Sequence, residues 1–172
     1  MRILVTGGAG YIGSHTSIEL LKNGHDIFVF DDFSNSMVRS IACIKKIAKK
    51  DVLYFKGDIR STSDLETIFS IFKPEIVMHF AGLKSVEESL RAPIPYYEVN
   101  ISGTVNLLNH MKKWDCTKLV YSSSACIYSA KAKPPYNEKQ ALSSSNPYGR
   151  TKQFVEQILR DWTVSNKKNT AV

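Results

Sequence analysis

The sequence predicts an α/β protein with a doubly wound parallel sheet, and three observations carry that expectation. Short, nearly continuous apolar runs recur along the chain and are separated by segments of helical periodicity. Such runs mark strands buried on both faces, the state of a parallel sheet with helices above and below it. Four of the nine glycines, Gly7, Gly8, Gly10 and Gly13, crowd the junction between the first strand and the first helix. An acidic residue, Asp31, closes the second strand.

The strands are expected at Arg2 to Thr6, Ile27 to Asp31, Val52 to Phe55, Ile76 to Phe80 and Lys118 to Ser123. Between the third and fourth, Ser63 and Glu66 have capping-box spacing ahead of "LETIFSIF", and Pro74 stops that helix. Tyr97, Ile101, Thr104, Leu108 and Met111 step by four and three, predicting the buried face of a long helix that ends near Trp114. Phe154, Ile158 and Trp162 predict the buried face of a last helix that starts around Tyr148. The segment from Ser129 to Pro147 is rich in Pro, Ser and Lys and too long for a plain connection, as loops bordering active sites often are. The tail from Ser165 reads as a loop followed by the first residues of a sixth strand. Unless that tail covers it, the fifth strand presents an open edge.

The whole chain, 1–172, reads as one domain: 43% of its residues are hydrophobic and 10% aromatic, enough to bury a substantial core. Three scattered cysteines, Cys43, Cys116 and Cys126, have no C-x-x-C spacing, and neither a signal peptide nor a membrane-length apolar run occurs. A cytoplasmic protein without membrane contact is the expectation. The formal charge is +7, but the lysines spread over one helix (Lys45, Lys46, Lys49, Lys50) and a loop (Lys131, Lys133, Lys139). No aromatic-interleaved basic stripe accompanies them, so solvated faces are favoured over nucleic-acid binding. His15, His25, His79 and His110 lack metal-ligand spacing, and no metal site is expected.

Gly7, Gly10 and Gly13 are spaced G-x-x-G-x-x-G on a strand-to-helix junction, with Tyr11 and Ile12 opening the helix. Glycines there let a pyrophosphate approach the free N–H groups and the positive end of the helix. Asp31 is placed to accept hydrogen bonds from an adenosine ribose. Asp32 follows it and no arginine adjoins, so NAD is favoured over NADP, with helix capping the alternative for either aspartate. Tyr148 and Lys152 are one helical turn apart, and a nearby cation favours the phenolate over the phenol. Such a pair also arises by chance, so its meaning depends on the motifs around it.

Those motifs are "TGGAGYIG", "GDI" at Gly57 to Ile59, "HFAGLKSVEES" at His79 to Ser89, "YSSSACIY" at Tyr121 to Tyr128, and "YGRTK" at Tyr148 to Lys152. In this order they resemble the UDP-glucose (UDP-galactose) 4-epimerases, a family of extended short-chain dehydrogenases/reductases with a Rossmann-type fold. The resemblance implies NAD as cofactor and a UDP-sugar as substrate. It makes Tyr148 the general base on the sugar 4-hydroxyl, Lys152 the cation that lowers the tyrosine's pKa and binds the nicotinamide ribose, and Ser124 a hydrogen-bond partner of the same hydroxyl. It places Asp31, Asn35 and Ser36 near the adenosine ribose, Asp58 and Ile59 near the adenine, Phe80, Ala81 and Lys84 along the cofactor, and Asn100 near the nicotinamide. Phe80 as ordinary core and Asn100 as partner of a buried backbone group remain alternatives. Ser122 points the same way as Ser124, so the choice between them rests on the family's register before the small residue Ala125. Related dehydratases carry Asp-Glu where Ala125 and Cys126 stand, which favours an epimerase. Members of the family also continue for about a second length of this chain and supply most substrate contacts there. The resemblance further allows a homodimer, and a catalytically silent NAD-binding module is the competing reading.

Overall fold

A computed structural model describes all 172 residues. Six parallel strands form one sheet: β1 (Arg2–Thr6), β2 (Asp26–Asp31), β3 (Leu53–Lys56), β4 (Ile76–His79), β5 (Lys118–Tyr121) and β6 (Thr170–Ala171), in the order β3-β2-β1-β4-β5-β6. The order reverses between β1 and β4, the place where open α/β sheets leave a crevice at their carboxyl ends. The doubly wound Rossmann-type fold is thus as expected.

The sheet alternates its side chains between two cores. Ile3, Val5, Ile27 and Val29 pack with Ile18 and Leu21 of α1 (Tyr11–Lys22) and Ile41 and Ile44 of α2 (Arg39–Ala48). Leu4, Phe28 and Phe30 face the other way, onto Leu65, Ile68 and Phe69 of α3 (Thr62–Phe72). Two short helices, α4 (Val86–Arg91) and α5 (Pro93–Tyr97), lead through a π-helical turn at Glu98–Ser102 into α6 (Gly103–Lys113). The last helix is α7 (Pro147–Ser165). No helix is long and apolar enough to cross a membrane.

Several boundaries and faces differ from the expectation, each for a local reason. Ser61, not Ser63, caps α3: its hydroxyl accepts the Asp64 N–H at 3.2 Å, and Asp64 is the acidic residue of the first turn. Ser61→Ala should therefore cost about 1 kcal/mol in denaturant unfolding, and Ser63→Ala no more than about 0.5 kcal/mol. The long helix contains the π-turn, whose extra residue shifts the register, so Tyr96 rather than Tyr97 is fully buried. On α7 the buried stripe is Tyr148, Thr151, Lys152, Val155 and Leu159; Ile158 and Trp162 pack part-buried against the same core as expected, while Phe154 is 48% exposed. Polar Thr151 and Lys152 occupy that face and disguise it.

The tail does cover β5. Thr170 and Ala171 pair with Lys118 and Leu119, and the Tyr121 N–H donates to the Val172 carbonyl at 2.7 Å. The long segment before α7 is tied back on itself: Tyr128 bridges Leu142, and the Tyr128 and Tyr136 rings stack with centroids 4.6 Å apart. Its end is fixed by Asn146, whose side chain accepts the Gly149 N–H at 2.8 Å and caps α7.

Candidate functional site

The glycine cradle is held by backbone contacts. Gly7 has φ +67°, a left-handed conformation that suits glycine, and a Cβ there would lie 2.6 Å from the Ala81 nitrogen. The Gly10 N–H donates to the Gly7 carbonyl, closing the turn at 3.1 Å. A Cβ on Gly13 would stand 2.3 Å from the Gly7 oxygen. The cradle therefore presses directly against the end of β4, beside Phe80 and Ala81. Gly10 caps α1 without any side-chain hydrogen bond, and the first turn of α1 contains no acidic residue. Its positive end is uncompensated, with Tyr11 80% and Ile12 54% exposed beside it. That arrangement fits the pyrophosphate of a dinucleotide.

Asp31 is buried, and its carboxylate organises the rim. One oxygen accepts the Ala9 N–H at 2.9 Å; the other accepts the Phe33 N–H at 2.9 Å and the Ser36 hydroxyl at 2.8 Å. Asp31 and Ser36 thus meet, while Asn35 is exposed on the same loop. Asp58 holds Arg60 through its backbone N–H and its guanidinium, with an Nη2 to Oδ2 distance of 2.6 Å. The Arg60 guanidinium keeps the Asp58 carboxyl below the usual range. Ile59 turns its side chain into the core, and its carbonyl accepts the Asn106 side-chain N–H. Lys84 lies exposed just ahead of α4.

Past the end of β5, the Ser123 hydroxyl donates to Glu156 on α7. The Ser122 carbonyl accepts the Lys152 ammonium at 2.9 Å, and the Ser124 hydroxyl accepts the Cys126 N–H at 3.2 Å, capping a 3-10 turn at Ala125–Ile127. These side-chain bonds end β5 at Tyr121, two residues before the sequence suggests. Gly149 lets α7 come close to this turn, since a Cβ there would lie 2.4 Å from the Cys126 oxygen. Tyr148, next to it, is buried with its ring edge-on to Tyr96 at 6.4 Å.

Burial pushes the Lys152 ammonium down to about 8, because the charged form is poorly solvated there. The sign follows from the ordinary value of 10.5 in the unfolded chain. Below pH 8 both states are protonated and the folded state bears the full penalty; as pH rises from 8 to 10.5 the penalty fades. That gap corresponds to about 3 kcal/mol. Lys152→Met should accordingly unfold at higher temperature than the wild type at pH 7 without cofactor, with the difference shrinking by pH 10.5.

A polar chain that the sequence reading missed joins these parts. The Thr104 hydroxyl donates to the Asn100 carbonyl at 2.6 Å, so at 2.9 Å it accepts Nε2–H of His79, whose Nδ1 accepts the Thr6 hydroxyl at 2.7 Å. Burial, with the Lys152 charge adding to it, drives the His79 pKa down to about 3, and the ring is neutral. The Asn100 side chain accepts the Leu83 N–H at 2.8 Å and donates to the Leu83 carbonyl at 3.0 Å and Thr151 at 2.9 Å; Thr151 in turn donates to the Tyr148 carbonyl at 2.7 Å. Asn100 satisfies buried groups and also ties the π-turn to α7. The only sequence signal was a histidine at the end of an apolar strand, and it named none of its partners.

The family described as GDP-mannose 4,6 dehydratase matches residues 4–171. The chain belongs to this family of extended short-chain dehydrogenases/reductases. Within it, the chain is 44% identical over 173 residues to UDP-glucose 4-epimerase of Bacillus subtilis, covering 100% of this chain and 51% of that protein. It is 47% identical over 162 residues to UDP-glucose 4-epimerase 2 of Arabidopsis thaliana, covering 92% and 46%. The crystal structure of UDP-glucose 4-epimerase from Bifidobacterium longum in complex with NAD+ and UDP superposes with a TM-score of 0.97 at 41% identity, over 99% of this chain and 51% of that one. The UDP-Glc/GlcNAc 4-epimerase from Campylobacter jejuni gives 0.93 at 34% identity, over 99% and 51%. The chain thus corresponds to the N-terminal part of these family members and spans about half their length.

Proposed function

We propose that this chain carries the cofactor site and the acid–base machinery for interconverting UDP-galactose and UDP-glucose. The observation that carries the proposal is a bond that ties the Tyr148 helix to the serine segment at the end of β5. Lys152 projects from the Tyr148 helix onto the Ser122 carbonyl, and Ser124 follows two residues later. In this reading Tyr148 removes the proton of the sugar 4-hydroxyl and later returns it, Ser124 orients that hydroxyl, and the Lys152 charge stabilises the phenolate. Bound NAD supplies the hydride acceptor and donor at C4, so the reaction has no net oxidation.

Gly7, Gly10, Tyr11, Ile12 and Gly13 would cradle the pyrophosphate, with Asp31, Asn35 and Ser36 at the adenosine ribose. Asp58 and Ile59 would border the adenine, and Phe80, Ala81, Lys84 and Asn100 would follow the cofactor toward its nicotinamide. Arg60 does not reverse the preference for NAD over NADP. Asp58 already engages the guanidinium, leaving Asp31 and Asp32 to repel a ribose phosphate.

The test incubates the chain with UDP-galactose, with and without NAD, and follows the sugar anomeric protons. The expected result is NAD-dependent formation of UDP-glucose with no accumulation of NADH. Stoichiometric NADH with an accumulating ketone would instead mean a dehydrogenase, and NAD binding without conversion would mean a cofactor-binding module.

A further inference from the structure

Lys152 is a buried cation with few partners. Its single protein hydrogen-bond acceptor is the Ser122 carbonyl, and no carboxylate pairs with it. The nearest candidate on its own helix, Glu156, is taken by Ser123 and Arg160. A buried ammonium needs further compensation, and here an aromatic face lies beneath it: Nζ is 4.8 Å from the centroid of the Tyr121 ring.

The Tyr121 ring is itself fixed from behind. Tyr121 and His79 are register partners across β4 and β5, with ring centroids 5.7 Å apart. His79 is locked between Thr6 and Thr104 in its neutral form, so it places no competing cation behind the ring. The Tyr121 hydroxyl is buried and has no hydrogen-bond partner. The contacts of this side chain therefore come from its ring and not from its oxygen.

We propose that Tyr121 is a positioning residue: its π face, backed by His79, holds the Lys152 ammonium at the end of the sheet beside Ser122. This rests on the reading of Lys152 as the cation that serves Tyr148. The titratable groups around Lys152 are His79 from β4, Tyr121 from β5, and Tyr148 and Glu156 from α7. Burial pushes the Tyr121 phenol far up, with Tyr148 and Glu156 adding to the effect. Tyr121 and His79 are thus both neutral across the range in which Lys152 titrates.

The experiment labels the lysine Cε atoms with carbon-13 in the 172-residue chain and titrates their NMR signals, with Lys152 assigned by its loss in Lys152→Met. In the unmutated chain and in Tyr121→Phe, the Lys152 Hε protons should resonate upfield of the other lysines, shielded by the ring. In Tyr121→Leu that shielding should vanish, and the Lys152 midpoint should fall by roughly one pH unit. An unchanged shift and midpoint in Tyr121→Leu would overturn the proposal. Should that variant not fold, nuclear Overhauser contacts between Lys152 Hε and the Tyr121 ring in the unmutated chain decide: their presence supports the platform and their absence refutes it. None of these signals depends on turnover or cofactor, so a failed platform is distinguishable from a failed epimerase reading.

Discussion

Tyr148→Phe should abolish conversion of UDP-galactose and leave NAD affinity within about twofold of the wild type. The expected loss of turnover is about a thousandfold or more, within the range attributed to a positioned acid–base group. The selectivity of the effect comes from how the residue is held. The bonds that place Tyr148 run through its backbone, from Thr151 to its carbonyl and through the Asn146 cap. Its ring packs edge-on against Tyr96, a contact that phenylalanine keeps. Removing one oxygen therefore removes the proton acceptor while leaving the helix, Lys152 and the cradle in place. Equal unfolding temperatures for the two proteins would show that the loss is chemical. A variant with near-normal turnover would refute the assigned role.

Gly13→Ala has the second large effect, on both stability and cofactor. The added methyl would lie 2.3 Å from the Gly7 oxygen and 2.7 Å from the Gly8 Cα, and both are backbone atoms with no freedom to rotate away. The strand-to-helix turn must open, at a cost of about 3 kcal/mol or more. NAD binding should be lost with it. Gly10→Ala provides the contrast: its nearest contact is the Gly7 oxygen at 3.2 Å, and its backbone φ of −71° suits any residue. That variant should fold nearly as well as the wild type and bind NAD more weakly, because the methyl sits where a pyrophosphate would approach. Calorimetric titration with NAD, paired with denaturant unfolding, separates the two outcomes.

The sheet was legible because its strands are buried on both faces and their residues announce it. β1 lies at Arg2–Thr6 as expected, and the other strands shift by one or two residues. What stayed hidden depended on contacts between distant residues. The π-turn gives no periodic signal of its own, so the stripe through Tyr97 fell one residue away from the buried Tyr96. On α7 the apolar spacing found Ile158 and Trp162, which do pack against the core, but took in exposed Phe154 because polar Thr151 and Lys152 interrupt the buried stripe. Polar groups on a packing face look like solvent positions until the sheet is seen beneath them. The cradle, the Tyr148 and Lys152 pair and the serine triplet were each visible as local spacing. The chain of bonds from Thr6 through His79, Thr104 and Asn100 to Thr151 draws on separate elements that only folding brings together.

The serine register illustrates both cases. Alternation along an extended strand groups Ser122 with Ser124, and the Ser123 hydroxyl is taken up by Glu156. Alternation does not divide Ser122 from Ser124. In the structure the Ser122 carbonyl is engaged by Lys152, and the Ser124 side chain starts the next turn. Neither bond occupies the Ser122 hydroxyl, so the choice of Ser124 rests on the family's register before Ala125.

The most direct test of the account uses UDP-galactose carrying deuterium at C4, incubated with the chain and NAD in ordinary water. UDP-glucose that retains deuterium at C4 is expected, because the hydrogen leaves as hydride and comes back without meeting solvent. Product bearing protium at C4 would contradict it and point instead to proton exchange at that carbon.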